Sequence, residues 1–227
     1  MKINKLRDIC RWGLLVSIFI FLSCAGPSLY SINMYYDAEQ AAIPAYLKAD
    51  KASSAIISIA EFTDTRRMDD RLVIGHVVEK DGMKNLVLPK NVKATKAISK
   101  GIKEYLRKAG YKVSDKIVQW DLKEETMPKE DFKILIGGNI DELEISCRRG
   151  FPSNTYTANM KLTIVFADMA KGKILYQSKV ESSYTKEHVL FSEENLGEEA
   201  GIALGDAIEK VFEDRTVAQK IKEAIAQ

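Results

Sequence analysis

Histidine and cysteine are both scarce in this chain of 227 residues: there are two histidines, His76 and His188, and three cysteines, Cys10, Cys24 and Cys147. Zinc needs three or four converging ligands. Two histidines about a hundred residues apart, with no His-Glu-x-x-His and no clustered cysteine, do not supply them, so no metal site is expected. There is no Gly-x-Ser-x-Gly elbow and no Walker loop, so nucleophilic or phosphoryl chemistry has nothing specific to stand on, and no catalytic residue or cofactor is expected. "IGGNI" holds Gly137 and Gly138, but no helix follows to face a phosphate. A bulge or a close backbone approach is the expectation there. Internal repeats and low-complexity tracts are absent.

Long apolar runs are also lacking. The one run, Gly13 to Leu22, is broken by Ser17. A membrane-spanning helix takes roughly 17 to 25 apolar residues, so this run is short for one. Before it stand Lys2, Lys5, Arg7 and Arg11 against one acid, Asp8. A basic start followed by about ten apolar residues reads as a secretory signal. The small residues Ser23, Cys24, Ala25 and Gly26 come next. This pattern resembles the lipobox of bacterial lipoproteins, although Phe21 and Leu22 depart from the usual leucine followed by a small residue. The resemblance implies cleavage before Cys24 and a diacylglycerol on its sulfur. Ala25, where an aspartate would imply inner-membrane retention, implies the outer membrane, facing the periplasm. The alternatives are an ordinary signal peptide cut nearby and an uncleaved anchor. The expected organisation is a lipoprotein signal over residues 1–23, a lipid-anchored tether over 24–53 and a periplasmic domain over 54–227.

Loss of the leader takes the formal charge from +2 to about −1. A near-neutral chain lacks the basic field of a general nucleic-acid binder, so no nucleic-acid partner is expected. Cys147 alone would remain as a free thiol, and burial in the core is its expected fate.

The tether carries no clear period and is interrupted by Pro27 and Pro44. Within it, "Met34-Tyr35-Tyr36" can pack on the domain's own surface, bind a partner or rest at a lipid interface. "AIISIAEF" then reads as a buried strand and "DTRRMDDR" as a polar loop. Val73 to Glu79 and Asn85 to Leu88 form a hairpin about a Lys-Asp-Gly turn. Val92 to Ala109 is a helix with Asn91 and Gly110 as caps, followed by a short strand at "YKVSD" and an irregular excursion holding Trp120. Three long strands follow, "FKILIGGNIDELEISCRR", "TYTANMKLTIVFAD" and "KILYQSKVESSYTKE", with a break in alternation near Asp141–Glu142. Short turns join them into an antiparallel meander. A helix capped by Ser192 comes next, then a short one with Thr216 and Gln219 as a capping box. The fold class is α+β, an antiparallel sheet with amphipathic helices on one face.

The order strand, "DTR", "IG", helix, "AGYKV", "ILIGGNIDELEI", "ANMKLTIVFADMAKGKILYQ" and "ALGDAIEKVFED" resembles the YajG-type lipoproteins and related auxiliary lipoproteins of envelope transport systems. It covers roughly residues 54–215. The resemblance implies a fold and a location, brings no catalytic residues, and suggests Asp64 and Arg66 as a structural pair closing the first strand. From the residues themselves, "EFTDTRRMDDR" reads as a solvated, self-paired loop rather than a paired-carboxylate or calcium site.

Two surfaces stand out. Lys93, Lys96, Lys100, Lys103 and Arg107 recur at helical steps of three and four, aligning five cations. They form either a solvated face or a contact for anionic lipid, lipopolysaccharide or an acidic partner. Gly197, Gly201 and Gly205 recur at every fourth residue of the penultimate helix. Close packing on the sheet is expected of them, or else contact with a partner. The functional expectation is a non-enzymatic accessory or assembly factor of the cell envelope that binds an unidentified envelope protein. The alternative is a carrier of a small or lipidic ligand held between sheet and helices.

Overall fold

A computed structural model describes residues 28–49 and 55–226. Its frame is three long antiparallel strands, β7 (Ile134–Arg148), β8 (Asn154–Asp168) and β9 (Lys173–His188). β8 turns Tyr156, Ala158, Met160, Leu162, Ile164 and Phe166 into one core, as a period of two dictates. β7 keeps pace in two registers. Ile134, Ile136 and Ile140 face that core before a bulge between Ile140 and Glu142, and Leu143, Ile145 and Cys147 face it afterwards. The extra residue lets both halves of a broken alternation bury on the same side. Cys147 is fully buried.

The sheet is mixed, which corrects the antiparallel expectation. The other edge of β7 is lined end to end by β2 (Ile56–Ile59), β3 (Thr63–Asp64) and β4 (Gly75–Val78), all parallel to it. β6 (Lys112–Val113) adds to β2 in parallel, and β5 (Lys84–Pro89) adds to β4 as an antiparallel hairpin. Parallel neighbours need long crossovers, and the stretch containing helix α1 (Ala94–Lys108) is one. The hairpin turns at Gly82, whose φ of 87° only glycine adopts easily.

Residues 28–49 correct the tether expectation. β1 (Leu29–Ile32) pairs in parallel with β5 at the sheet edge. Ile32, Met34, Tyr36, Ala38, Ala41 and Leu47 are all buried. This N-terminal strap thus belongs to the folded body, and Tyr35 alone of "Met34-Tyr35-Tyr36" is exposed.

Helices α1, α2 (Glu193–Glu213) and α3 (Arg215–Ala226) cover one face. Ile98, Ile102, Leu106, Leu204, Ile208 and Phe212 have no exposed surface, and Phe212 stacks on Tyr105 at 5.1 Å and meets Phe166 edge-on at 6.1 Å. Ser192 caps α2 by accepting from the Asn195 amide at 3.0 Å. Lys93, not Asn91, precedes α1 and makes no side-chain cap. Gly110 ends that helix at a φ of 94°. Asp214, rather than a Thr216–Gln219 box, accepts from the Thr216 amide at 2.8 Å, and Gln219 turns instead to Glu223. The excursion after β6 seats Trp120 against Leu135 and Val165 in a small second core on the opposite face.

Candidate functional site

The exposed side of α1 borders a groove of about 280 Å³ lined by Lys96, Lys100, Lys103 and Arg107 together with Glu61, Glu104 and Asp115. The cation row is therefore partly neutralised. Lys100 lies 3.6 Å from Glu104 one turn on, and Arg107 holds Asp115, arriving from beyond β6, at 2.6 Å. The Arg107 guanidinium keeps the Asp115 carboxyl below its ordinary range. Lys100 also sits 5.5 Å over the Tyr35 ring. Desolvation pushes the Lys103 ammonium down, Arg107 adds to that and Asp115 opposes it.

Lys93 and Lys96 stand at the N-terminal end of α1. Among the described residues neither has an ion-pair partner within 4.0 Å, and no acid occupies the first turn of α1. Backbone amides leave a partial positive charge at that end of a helix. Two cations there, exposed and unpaired, oppose the helix dipole.

Asp64 and Arg66 meet at the end of β3. The Arg66 guanidinium, 6% exposed, holds the Asp64 carboxylate at 2.7 Å. It also donates to the carbonyls of Val73 at 3.0 Å, Leu143 at 3.1 Å and Arg71 at 2.9 Å. All these acceptors are protein groups, so the pair pins the loop after β3 to the β4 entry and to β7. Partial burial pushes the Asp64 carboxyl up, but the hydrogen bonds from Arg66 prevail and hold it below the ordinary range.

The glycines of α2 meet the strap rather than the sheet. A Cβ on Gly201 would lie 2.5 Å from the Tyr35 carbonyl oxygen, and one on Gly197 3.0 Å from that of Asn33. Beside this contact runs an open groove of about 790 Å³, lined by strap residues and by Glu194, Glu198 and Asp206 of α2. The close-approach expectation at "IGGNI" has its counterpart in two rings. Cβ atoms on Gly137 and Gly138 would lie 2.8 Å from Trp120 and 2.4 Å from Phe62.

A buried carboxylate was not anticipated from the sequence. Glu199, 1% exposed, takes His188 Nε2 at 2.9 Å and Lys186 at 3.6 Å on Oε1, while its Oε2 has no hydrogen-bond partner. Its surplus of acidic neighbours on α2 gave it no distinguishing mark. Cys24 lies outside the described residues. Among those described, no group of three or more His, Cys, Asp or Glu is placed to hold a metal, and no helix is long and apolar enough to cross a membrane.

No protein-family model and no curated protein matches the chain. Among solved structures, protein XCC0632 from Xanthomonas campestris, of DUF330, aligns over 86% of this chain and 99% of its own at 8% identity and a TM-score of 0.51. The two share a fold. Lipoprotein GNA1162 from Neisseria meningitidis aligns over 70% of this chain and 99% of its own, at 12% identity and a TM-score of 0.32. The PelC dodecamer from Paraburkholderia phytofirmans aligns over 69% and 92%, at 10% identity and 0.33. None of these likenesses is to a YajG-type protein.

Proposed function

We propose that this chain is a bacterial lipoprotein, anchored through Cys24 to the outer membrane and facing the periplasm, that works without catalysis as an accessory or assembly factor by binding another envelope protein. The lipid raises the domain's effective concentration at a membrane partner. The proposed contact is the exposed face of α1, from Lys93 at its N-terminal end into the groove that begins at Lys96, and the partner segment is acidic. The observation that carries this is the pair of exposed, unpaired lysines, Lys93 and Lys96, at the positive end of α1. An anionic segment laid there gains from both charges and from the helix dipole. The lipobox and the YajG-type order of motifs support the envelope location. A ligand carrier has the filled interior against it, because the facing side chains of α1, α2 and β8 leave no solvent-exposed surface between them.

The test is charge reversal in the full-length protein. Lys93→Glu with Lys96→Glu removes the partner recovered from gently solubilised membranes, while Lys173→Glu with Lys179→Glu, on the exposed side of β9, leaves it. Equal recovery with both variants contradicts the assigned surface.

A further inference from the structure

The strap changes where the anchor must sit, and one end of the sheet is built unlike the rest. Phe151, in the turn between β7 and β8, is 92% exposed, and Val189 and Leu190, just after β9, are 75% and 77% exposed. Their backbones are held in place. Asn154 donates to the carbonyls of His188 at 3.2 Å and Val189 at 3.1 Å, and accepts from the Gly150 amide at 3.4 Å. The Tyr156 hydroxyl donates to the Leu190 carbonyl at 3.3 Å. Two segments distant in sequence thus present three large apolar side chains together from fixed backbone, a feature that marks a contact surface rather than a disordered loop.

The chain enters the fold at this same end. The Ser28 amide donates to Asn85 Oδ1 at 2.8 Å, Asn85 donates to Glu79 at 3.1 Å, and Glu79 accepts from Arg149 at 3.0 Å, two residues from Phe151. The Tyr30 ring meets Phe191, next to Leu190, at 5.1 Å. Cys24 is four residues before Ser28, and four residues reach at most about 14 Å. A lipid on Cys24 therefore fixes the bilayer surface within that distance of Ser28.

We propose that Phe151, Val189 and Leu190 form an apolar tip that enters the bilayer holding the Cys24 lipid, so that the domain stands on the membrane by its chain-entry end. This rests on the anchored reading above. The occupant is lipid because the reach of the chain puts the bilayer at this end whatever partner is bound elsewhere. The long axis of β8, about 50 Å for 15 residues, then points away from the membrane. It places the turn at Ala170 far from the lipid.

The experiment uses the full-length protein purified with its anchor and reconstituted into vesicles of phosphatidylethanolamine and phosphatidylglycerol. A polarity-sensitive NBD probe is attached to Val189→Cys or to Ala170→Cys, and Cys147, fully buried, stays unlabelled in the folded state. Flotation with the vesicles reports the anchor, and quenching by acyl-chain spin-labelled lipid reports insertion. The expected result is flotation of both, with blue-shifted, quenched emission at position 189 and water-like, unquenched emission at 170. Flotation with a water-like probe at 189 overturns the tip and leaves the anchor standing. Blue-shifted emission at both positions overturns the orientation. Absence of flotation removes the anchored reading and the tip with it.

Discussion

Gly201→Ala separates the strap from a tether by the sign of its effect. In an exposed or loosely covered helix interior, alanine in place of glycine stabilises by about 1 kcal/mol. Here the new methyl would lie 2.5 Å from the Tyr35 carbonyl oxygen, so backbone, not a flexible side-chain tip, must retreat by most of an ångström. The strap has little room to give. On one side Lys90 donates its amide to the Ile32 carbonyl at 2.8 Å. On the other, Tyr36 is buried between α1 and α2 with its hydroxyl on Glu209 at 3.1 Å. Overpacking of this kind costs about 1–3 kcal/mol, which outweighs the helical gain over most of that range and leaves a net loss of up to about 2 kcal/mol. For a domain of this size each kcal/mol moves Tm by about 2–4 °C. Thermal unfolding of the full chain, followed by circular dichroism, should show Gly201→Ala below wild type by a few degrees. Gly205→Ala faces only the Tyr36 ring at 3.0 Å and should fall less. A rise in Tm for Gly201→Ala would refute the docked strap.

Arg66→Ala should destabilise by about 3–5 kcal/mol, because it leaves the Asp64 carboxylate and three carbonyl acceptors without their donor, and chemical denaturation reads the loss. The depressed carboxyl of Asp64 gives stability that is present above the unfolded value near 3.9 and is lost as pH falls through the folded one. Wild type should therefore lose stability more steeply than Arg66→Ala below about pH 4, which acid titration of the unfolding midpoint checks. Burial pushes the Cys147 thiol up to about 11, so a thiol reagent should modify it only on unfolding, and rapid labelling of the native protein would contradict its placement.

The parts of this fold that a sequence can show are those with long periods and local turns. β7, β8 and β9 announce themselves by alternation and by the turns between them, and even the bulge after Ile140 appears as a break in the pattern. β2, β3 and β4 run two to four residues each and pair with residues that follow some 70 or more positions later. No local signal states whether such pairs are parallel. The strap did leave a trace. Ile32, Met34, Tyr36 and Ala38 alternate with Asn33, Tyr35 and Asp37, a period of two that the flanking prolines overshadowed. The glycine row on α2 signals close approach, but its partner lies some 165 residues upstream and only the fold brings it there. Along α1 the spacing shows the cations and, at the fourth residue from Lys100, Glu104 as well. Asp115 reaches Arg107 only because the chain turns at Gly110.

An anchored protein that acts by binding an envelope partner should hold that partner through its membrane attachment. The most direct measurement is recovery of the full-length protein from gently solubilised membranes, as wild type and as Cys24→Ala, with mass spectrometry of whatever accompanies it. A defined set of envelope proteins that accompanies only the form with Cys24 is the predicted result. The same set with both forms, or a retained lipid or small molecule and no protein, would contradict it.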